Sequence, residues 1–138
     1  MAIKAVLDTN IWVSAIIQGK MGDLLALPVV YGVEFLRCKD LTDEIKEVIN
    51  RKKIAKYLTE PASRHIAVFE AATTPVRIRH EFKGCRDPKD NYLFDLAMQA
   101  KARYIVSGDR DVRETTVEKP VETVTLTRFK EILKQSLN

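Results

Sequence analysis

Short apolar runs rich in strand formers alternate along this chain with longer stretches of helical periodicity, and that alternation restricts the fold more than any other feature. Ile3-Lys4-Ala5-Val6-Leu7 is the first run and stops at Asp8. Val33-Glu34-Phe35-Leu36-Arg37 alternates as a strand does, Tyr104-Ile105-Val106 is bounded by Ser107-Gly108-Asp109, and Val121 to Leu126 is the last run. Between them, Gly22 to about Leu27 is expected to be a short helix ending near Pro28. A long helix is predicted from Leu41 to Leu58, with Asp40 as N-cap and Pro61 beyond its end, and another from Arg64 to Ala72, capped by Ser63. Thr73-Thr74-Pro75 then reads as a break in the chain. Asp87-Pro88 reads as an N-cap followed by proline at the first helical position, opening a helix to about Ala102. A final helix is predicted from Arg128 to Leu137. Strands separated by helices imply an α/β fold, here three layers (α/β/α) around a mostly parallel sheet in which strands 3–7 and 104–106 are neighbours.

The length of 138 residues suits one domain spanning 1–138. Hydrophobic residues at 46% and charged residues at 30% describe a globular chain rather than a disordered one. No apolar run is long enough to span a membrane and the first is too short for a signal peptide, so the expected compartment is the cytoplasm, with no membrane partner. Cys38 and Cys85 fit no zinc or redox spacing, and His65 and His80 have no Cys or His partner at ligand spacing. Chemistry is therefore left to carboxylates and hydroxyls. The net charge is +4, and residues 51–90 carry ten basic groups against five acidic ones. A basic central block beside acid-bearing ends suggests a polyanionic partner.

In open α/β sheets, ligands bind beyond the carboxyl ends of the strands. Two predicted strands run into acids there: Asp8 directly, and Asp109 after a Ser-Gly turn. Helix phase adds two more. On the 41–58 helix Leu41, Ile45, Val48 and Ile49 form the apolar stripe, and Glu44 lies at its flank, about 85° from the centre, while Asp43 and Glu47 point away. On the 88–102 helix the stripe is Leu93, Phe94, Ala97 and Ala100. Asp90 lies about 30° from its centre, whereas Asp95, about 170° away, is expected to be solvated and dispensable. Converging carboxylates repel one another, and an all-oxygen set is best relieved by Mg²⁺ or Mn²⁺.

These residues resemble the PIN-domain family, in particular its bacterial and archaeal toxin-like (VapC-like) ribonucleases. The likeness runs through Val6-Leu7-Asp8-Thr9-Asn10-Ile11, Glu44-Ile45-Lys46-Glu47-Val48-Ile49, and Arg86-Asp87-Pro88-Lys89-Asp90-Asn91 on to Leu96-Ala97. It continues through Tyr104-Ile105-Val106-Ser107-Gly108-Asp109-Arg110-Asp111 and the closing stretch from Pro120 to Leu133. Carried over by position, the resemblance implies that Asp8, Glu44, Asp90 and Asp109 are the metal-binding and catalytic acids, with Asp111 auxiliary and Asn10 and Ser107 in support. It implies a Mg²⁺- or Mn²⁺-dependent endoribonuclease that leaves a 5′-phosphate and a 3′-hydroxyl. It also implies an antitoxin protein as possible partner and a homodimer. Within that picture the basic block would hold the RNA backbone, Arg86 and Lys89 being favoured for their nearness to Asp90, and Tyr92 would stack on bases. The polar 112–119 segment corresponds to a variable loop.

Two other readings remain. A catalytically inactive PIN-fold RNA-binding module would share the architecture, but a pure binder gains nothing from four anions facing phosphate. An aspartyl-phosphate protein using Asp8 predicts a second acid two residues later, where Asn10 stands, or an acidic pair before the first strand end, and neither is present.

Overall fold

In the computed structural model, which describes residues 2–137, five parallel strands form one sheet in the order β3-β2-β1-β4-β5. They are β1 (Lys4–Leu7), β2 (Glu34–Arg37), β3 (Thr73–Pro75), β4 (Tyr104–Val106) and β5 (Glu122–Val124). The helices are α1 (Thr9–Ile17), α2 (Met21–Tyr31), α3 (Lys39–Ile49), α4 (Lys52–Ala55), α5 (Ala62–Ala72), α6 (Asn91–Gln99), α7 (Arg110–Arg113) and α8 (Leu126–Gln135). The three-layer α/β/α arrangement and the β1–β4 pairing are as expected, with Ala5 opposite Tyr104 and Leu7 opposite Val106.

The register sorts the two faces. Phe35, Ala5 and Tyr104 lie in one row across the sheet, so their side chains share a face. On that face Trp12 of α1 meets the Phe35 and Phe69 rings edge-on at 5.6 and 5.0 Å, and Tyr104 meets Phe129 of α8 at 5.8 Å. Right-handed crossovers place α6 and α7 on the other face. There the segment between β3 and α6 lies across α6, and Phe82 stacks on Phe94 at 4.7 Å.

Several predicted boundaries move, for local reasons. No element was expected after Asp8, yet α1 begins there, with the Asp8 carboxylate capping the Ile11 N–H at 3.2 Å. Helix α2 runs through Pro28 to Tyr31 and ends at Gly32, whose φ of +73° is the left-handed stop that glycine adopts without strain. The predicted 41–58 helix is two helices with Cys38, not Asp40, at the N-cap. Asn50 ends the first, its side-chain amide donating to the Lys46 carbonyl at 2.7 Å. Pro61, not Ser63, occupies the N-cap of α5. Thr73–Pro75, read as a break, is an edge strand; threonines favour extended backbone, and an edge tolerates proline. Asp87 caps a 3₁₀ turn, Pro88–Asp90, before α6 begins, and α6 ends at Gln99 rather than Ala102. Thr125 caps α8, which therefore starts at Leu126, two residues before Arg128. The expected variable loop begins inside α7.

Candidate functional site

The strand order reverses at β1: the chain builds outward from it on one side and returns to β4 on the other. A crevice opens at such a switch point, beyond the carboxyl ends of β1 and β4. Asp8 follows β1 directly and is 6% exposed. Its backbone N–H donates to the Val106 carbonyl at 3.0 Å, tying the two strand ends together. Ser107, fully buried, donates its hydroxyl to Asp8 Oδ2 and accepts from the Asp109 N–H at 3.0 Å. One hydroxyl thus ties the Asp8 carboxylate to the Asp109 backbone. Asp109 also caps α7, accepting from the Asp111 N–H at 2.9 Å.

The other two acids arrive from helices. Glu44 projects half-buried from α3, and its Oε2 accepts from the Tyr92 hydroxyl at 3.1 Å. That hydroxyl in turn lies 3.2 Å from Thr9 Oγ1. Tyr92 is 6% exposed, so it is a strut holding Glu44 rather than the base-stacking ring expected. Neither residue's role as a strut was visible in the sequence, because Thr9 and Tyr92 lie 83 residues apart and Tyr92 and Glu44 lie 48 apart. Asp90, half-buried, closes the 3₁₀ turn before α6.

Burial and the neighbouring acids both raise carboxyl pKa values here. The Asp90 carboxyl is pushed from 3.8 up to about 6, first by burial and then by Asp87, Asp109, Glu44 and Asp8. Asp8 is also raised, mainly by burial, against the hydrogen bond from Ser107, which lowers it. None of Asp8, Glu44, Asp90 and Asp109 is ion-paired among the described residues. Nor, among the described residues, do three His, Cys, Asp or Glu side chains close around one point at metal-ligand distance. The acids share a field without touching.

The remaining expected site residues are more scattered. Asn10 is exposed on the first turn of α1. Asp111 is exposed and faces Arg86 at 3.7 Å. Lys89 borders a groove of about 500 Å³ whose other walls include Asp40, Asp43, Glu44 and Glu47. The basic block is not one patch: Arg51 is paired with Glu47 at 2.7 Å and Arg79 with Glu81 at 2.8 Å.

The placement of Asp95 reverses the expectation from helix phase. It is 1% exposed, and Oδ1 accepts from the backbone N–H groups of Glu81 and Phe82 at 3.1 and 2.9 Å. The reason is that α6 is buried on two sides, by the sheet and by the segment lying across it. Tyr92, Leu93, Phe94, Leu96 and Ala97 are all buried with it. The wide apolar arc, with Leu96 about 90° from the stripe's centre, was the available signal. Gln99 reinforces the same strap, accepting from the Arg79 N–H at 2.8 Å and donating to its carbonyl at 2.7 Å.

Comparison with known proteins adds three findings. The family described as PIN domain matches residues 4–111. An uncharacterized protein of Methanocaldococcus jannaschii is 29% identical over 114 residues, covering 80% of this chain and 73% of its own. The fold is similar to the crystal structure of VapBC2 from Rickettsia felis bound to a DNA fragment from their promoter. There the TM-score is 0.61 at 12% identity, covering 88% of this chain and 97% of that one.

Proposed function

The chain belongs to the PIN-domain family, and on that premise we propose that it is a Mg²⁺- or Mn²⁺-dependent endoribonuclease, leaving 5′-phosphate and 3′-hydroxyl ends. The observation that carries this reading is the uncompensated negative field at the sheet's switch point, expressed in an Asp90 carboxyl raised to about 6 by burial and four other acids. Oxygen donors with no cation paired to them suit a hard divalent ion. Such an ion would activate water and offset charge on the phosphoryl oxygens in the transition state.

In this reading Asp8 and Asp109, on strand ends and joined through Ser107, are the direct ligands. Glu44 and Asp90 act through water or orient the attacking nucleophile, Glu44 being aimed by Tyr92. The strand is proposed to run across Asp8 and Asp109, at the carboxyl ends of β1 and β4. By its likeness to the VapBC2 structure, we extend the proposal to a toxin-like nuclease with an antitoxin partner and a homodimeric state.

The test is incubation of purified protein with end-labelled single-stranded RNA and Mn²⁺, beside the Asp8→Asn variant and an EDTA control. Cleavage is expected only in wild type with metal, with a 5′-phosphate on the downstream fragment. RNA binding without cleavage under every metal condition would leave the inactive binding module as the correct reading.

A further inference from the structure

The basic block of residues 51–90 was the natural candidate for holding nucleic acid, but the fold gathers arginines elsewhere. Arg110 and Arg113 of α7 and Arg128 of α8 line one cleft of about 510 Å³, together with Glu114 and the helix cap Thr125. These arginines come from two segments separated by β5, so only the tertiary fold brings them together. Because α7 follows β4 and Thr125 follows β5, and the two strands are parallel neighbours, the cleft opens at the carboxyl edge of the sheet. Asp8 and Asp109 stand at that same edge, and Asp109 immediately precedes Arg110.

Three arginines and one acid, Glu114, line the cleft, so its charge is net positive. Arg110 is paired with Glu114 at 2.7 Å and Arg128 with Glu131 at 3.3 Å, both on the surface. Arg113 pairs with no carboxylate among the described residues. Its Nε is shielded from solvent and has no hydrogen-bond partner. Arg113 is therefore the one arginine of this cleft whose charge no carboxylate offsets among the described residues, which leaves it for an incoming anion. The planar fork of arginine matches the oxygens of a phosphodiester in pairs.

We propose that the Arg110–Arg113–Arg128 cleft binds a backbone phosphate of the RNA strand on the β5 side of the acid cluster. The assignment rests on the ribonuclease reading for the identity of the strand. It gives the substrate a direction: scissile bond at Asp8 and Asp109, flanking phosphate over α7 and the start of α8.

The experiment measures fluorescence anisotropy of a labelled single-stranded RNA in EDTA, where no cleavage occurs, at 50 to 200 mM salt. Wild type is compared with the double variant Arg113→Gln/Arg128→Gln and with Lys52→Gln/Lys53→Gln, which removes equal charge from α4. If each arginine contacts one phosphate, the double variant's salt slope is about 1.4 shallower, since each contact on single-stranded nucleic acid contributes about 0.7. A fourfold rise in salt should then weaken the variant about sevenfold less than wild type. The lysine pair should keep the wild-type slope. Equal slopes for wild type and the arginine variant, equal changes in both doubles, or no RNA binding by wild type would each overturn the proposal. Should Arg113→Gln fail to fold, as judged by its melting curve, Arg110→Gln/Arg128→Gln carries the same expectation on two exposed side chains. Binding and cleavage fail separately: a protein that binds RNA through these arginines but never cuts keeps the cleft and loses the nuclease reading. A protein that cuts but binds identically after the arginine substitutions keeps the nuclease and loses the cleft.

Discussion

Asp90 and Asp95 stand five residues apart, and their carboxylates do different work. Asp95 satisfies two backbone N–H groups of the strap and touches no other acid's hydrogen bonds. Asp95→Ala would leave those donors unpaired and should destabilise the protein by about 2–3 kcal/mol. Activity should fall with it, because the strap leads into the turn that carries Asp90; a urea melt and a cleavage assay on the same preparation check both. Glu47, by contrast, is exposed and paired only with Arg51; its removal should leave the melting temperature close to that of wild type. Asp90 offers a pH test. Its carboxyl titrates near 6 in the folded protein against 3.8 ordinarily, so between those values the native state holds more protons than the unfolded chain. Its contribution therefore favours folding at the acid end and is lost as pH rises through about 6. In EDTA, wild type should lose stability relative to Asp90→Asn across that window; parallel melting curves from pH 4 to 7 would show the raised pKa to be wrong. Metal binding requires the carboxylate, so the proposed ion should bind more weakly below about pH 6.

At the level of elements, the site is assembled by connections that cross between helices. The Thr9–Tyr92–Glu44 chain links the starts of α1 and α6 to the middle of α3. Tyr92→Phe keeps the ring in its buried place and removes only the hydroxyl, so the fold should lose about 1 kcal/mol. Glu44 would then lose its strut. The expected result is a several-fold drop in kcat with KM little changed, and equal loss in both would point to misplaced substrate instead. The strap between β3 and α6 is the second such device. It has no regular structure of its own and is held by Asp95, Gln99 and Asn91 of α6, the last accepting from the Cys85 N–H at 3.0 Å. Burial pushes up the Cys85 thiol and takes Cys38 up to about 11, which fits two free, unreactive structural cysteines.

For the molecule as a whole, the proposed metal couples the site to global stability. Four acids without a cation oppose folding, so Asp8→Asn should melt no lower than wild type in EDTA, since asparagine can still cap Ile11 and meet Ser107. Wild type should gain from Mn²⁺, by about 2.7 kcal/mol at 100 times the dissociation constant, and the variant should gain nothing. A variant that responds to Mn²⁺ as fully as wild type would remove Asp8 from the ligand set.

The chain order of short apolar runs and helical stretches was enough to read a parallel α/β sheet with β1 beside β4, because strand and helix periods are local properties of the residues. The same locality made Asp8 and Asp109 legible: each ends a strand, and strand ends of such a sheet meet at its carboxyl edge. Helix phase put Glu44 at the flank of its stripe and Asp90 near the centre of its own; both are half-buried, Asp90 in the 3₁₀ turn before α6 rather than in the helix. It failed at Asp95, since phase gives a direction around an axis and cannot say whether a second layer covers the opposite side; here the 76–87 segment does. Thr73–Pro75 needed the neighbouring Arg37 edge to become a strand. The Tyr92 strut and the arginine cleft were equally out of reach of pattern, because hydrogen bonds and charge clusters depend on distances in space. Residues 48 positions apart become partners, and Arg113 and Arg128 become neighbours, only when the sheet has closed the chain upon itself.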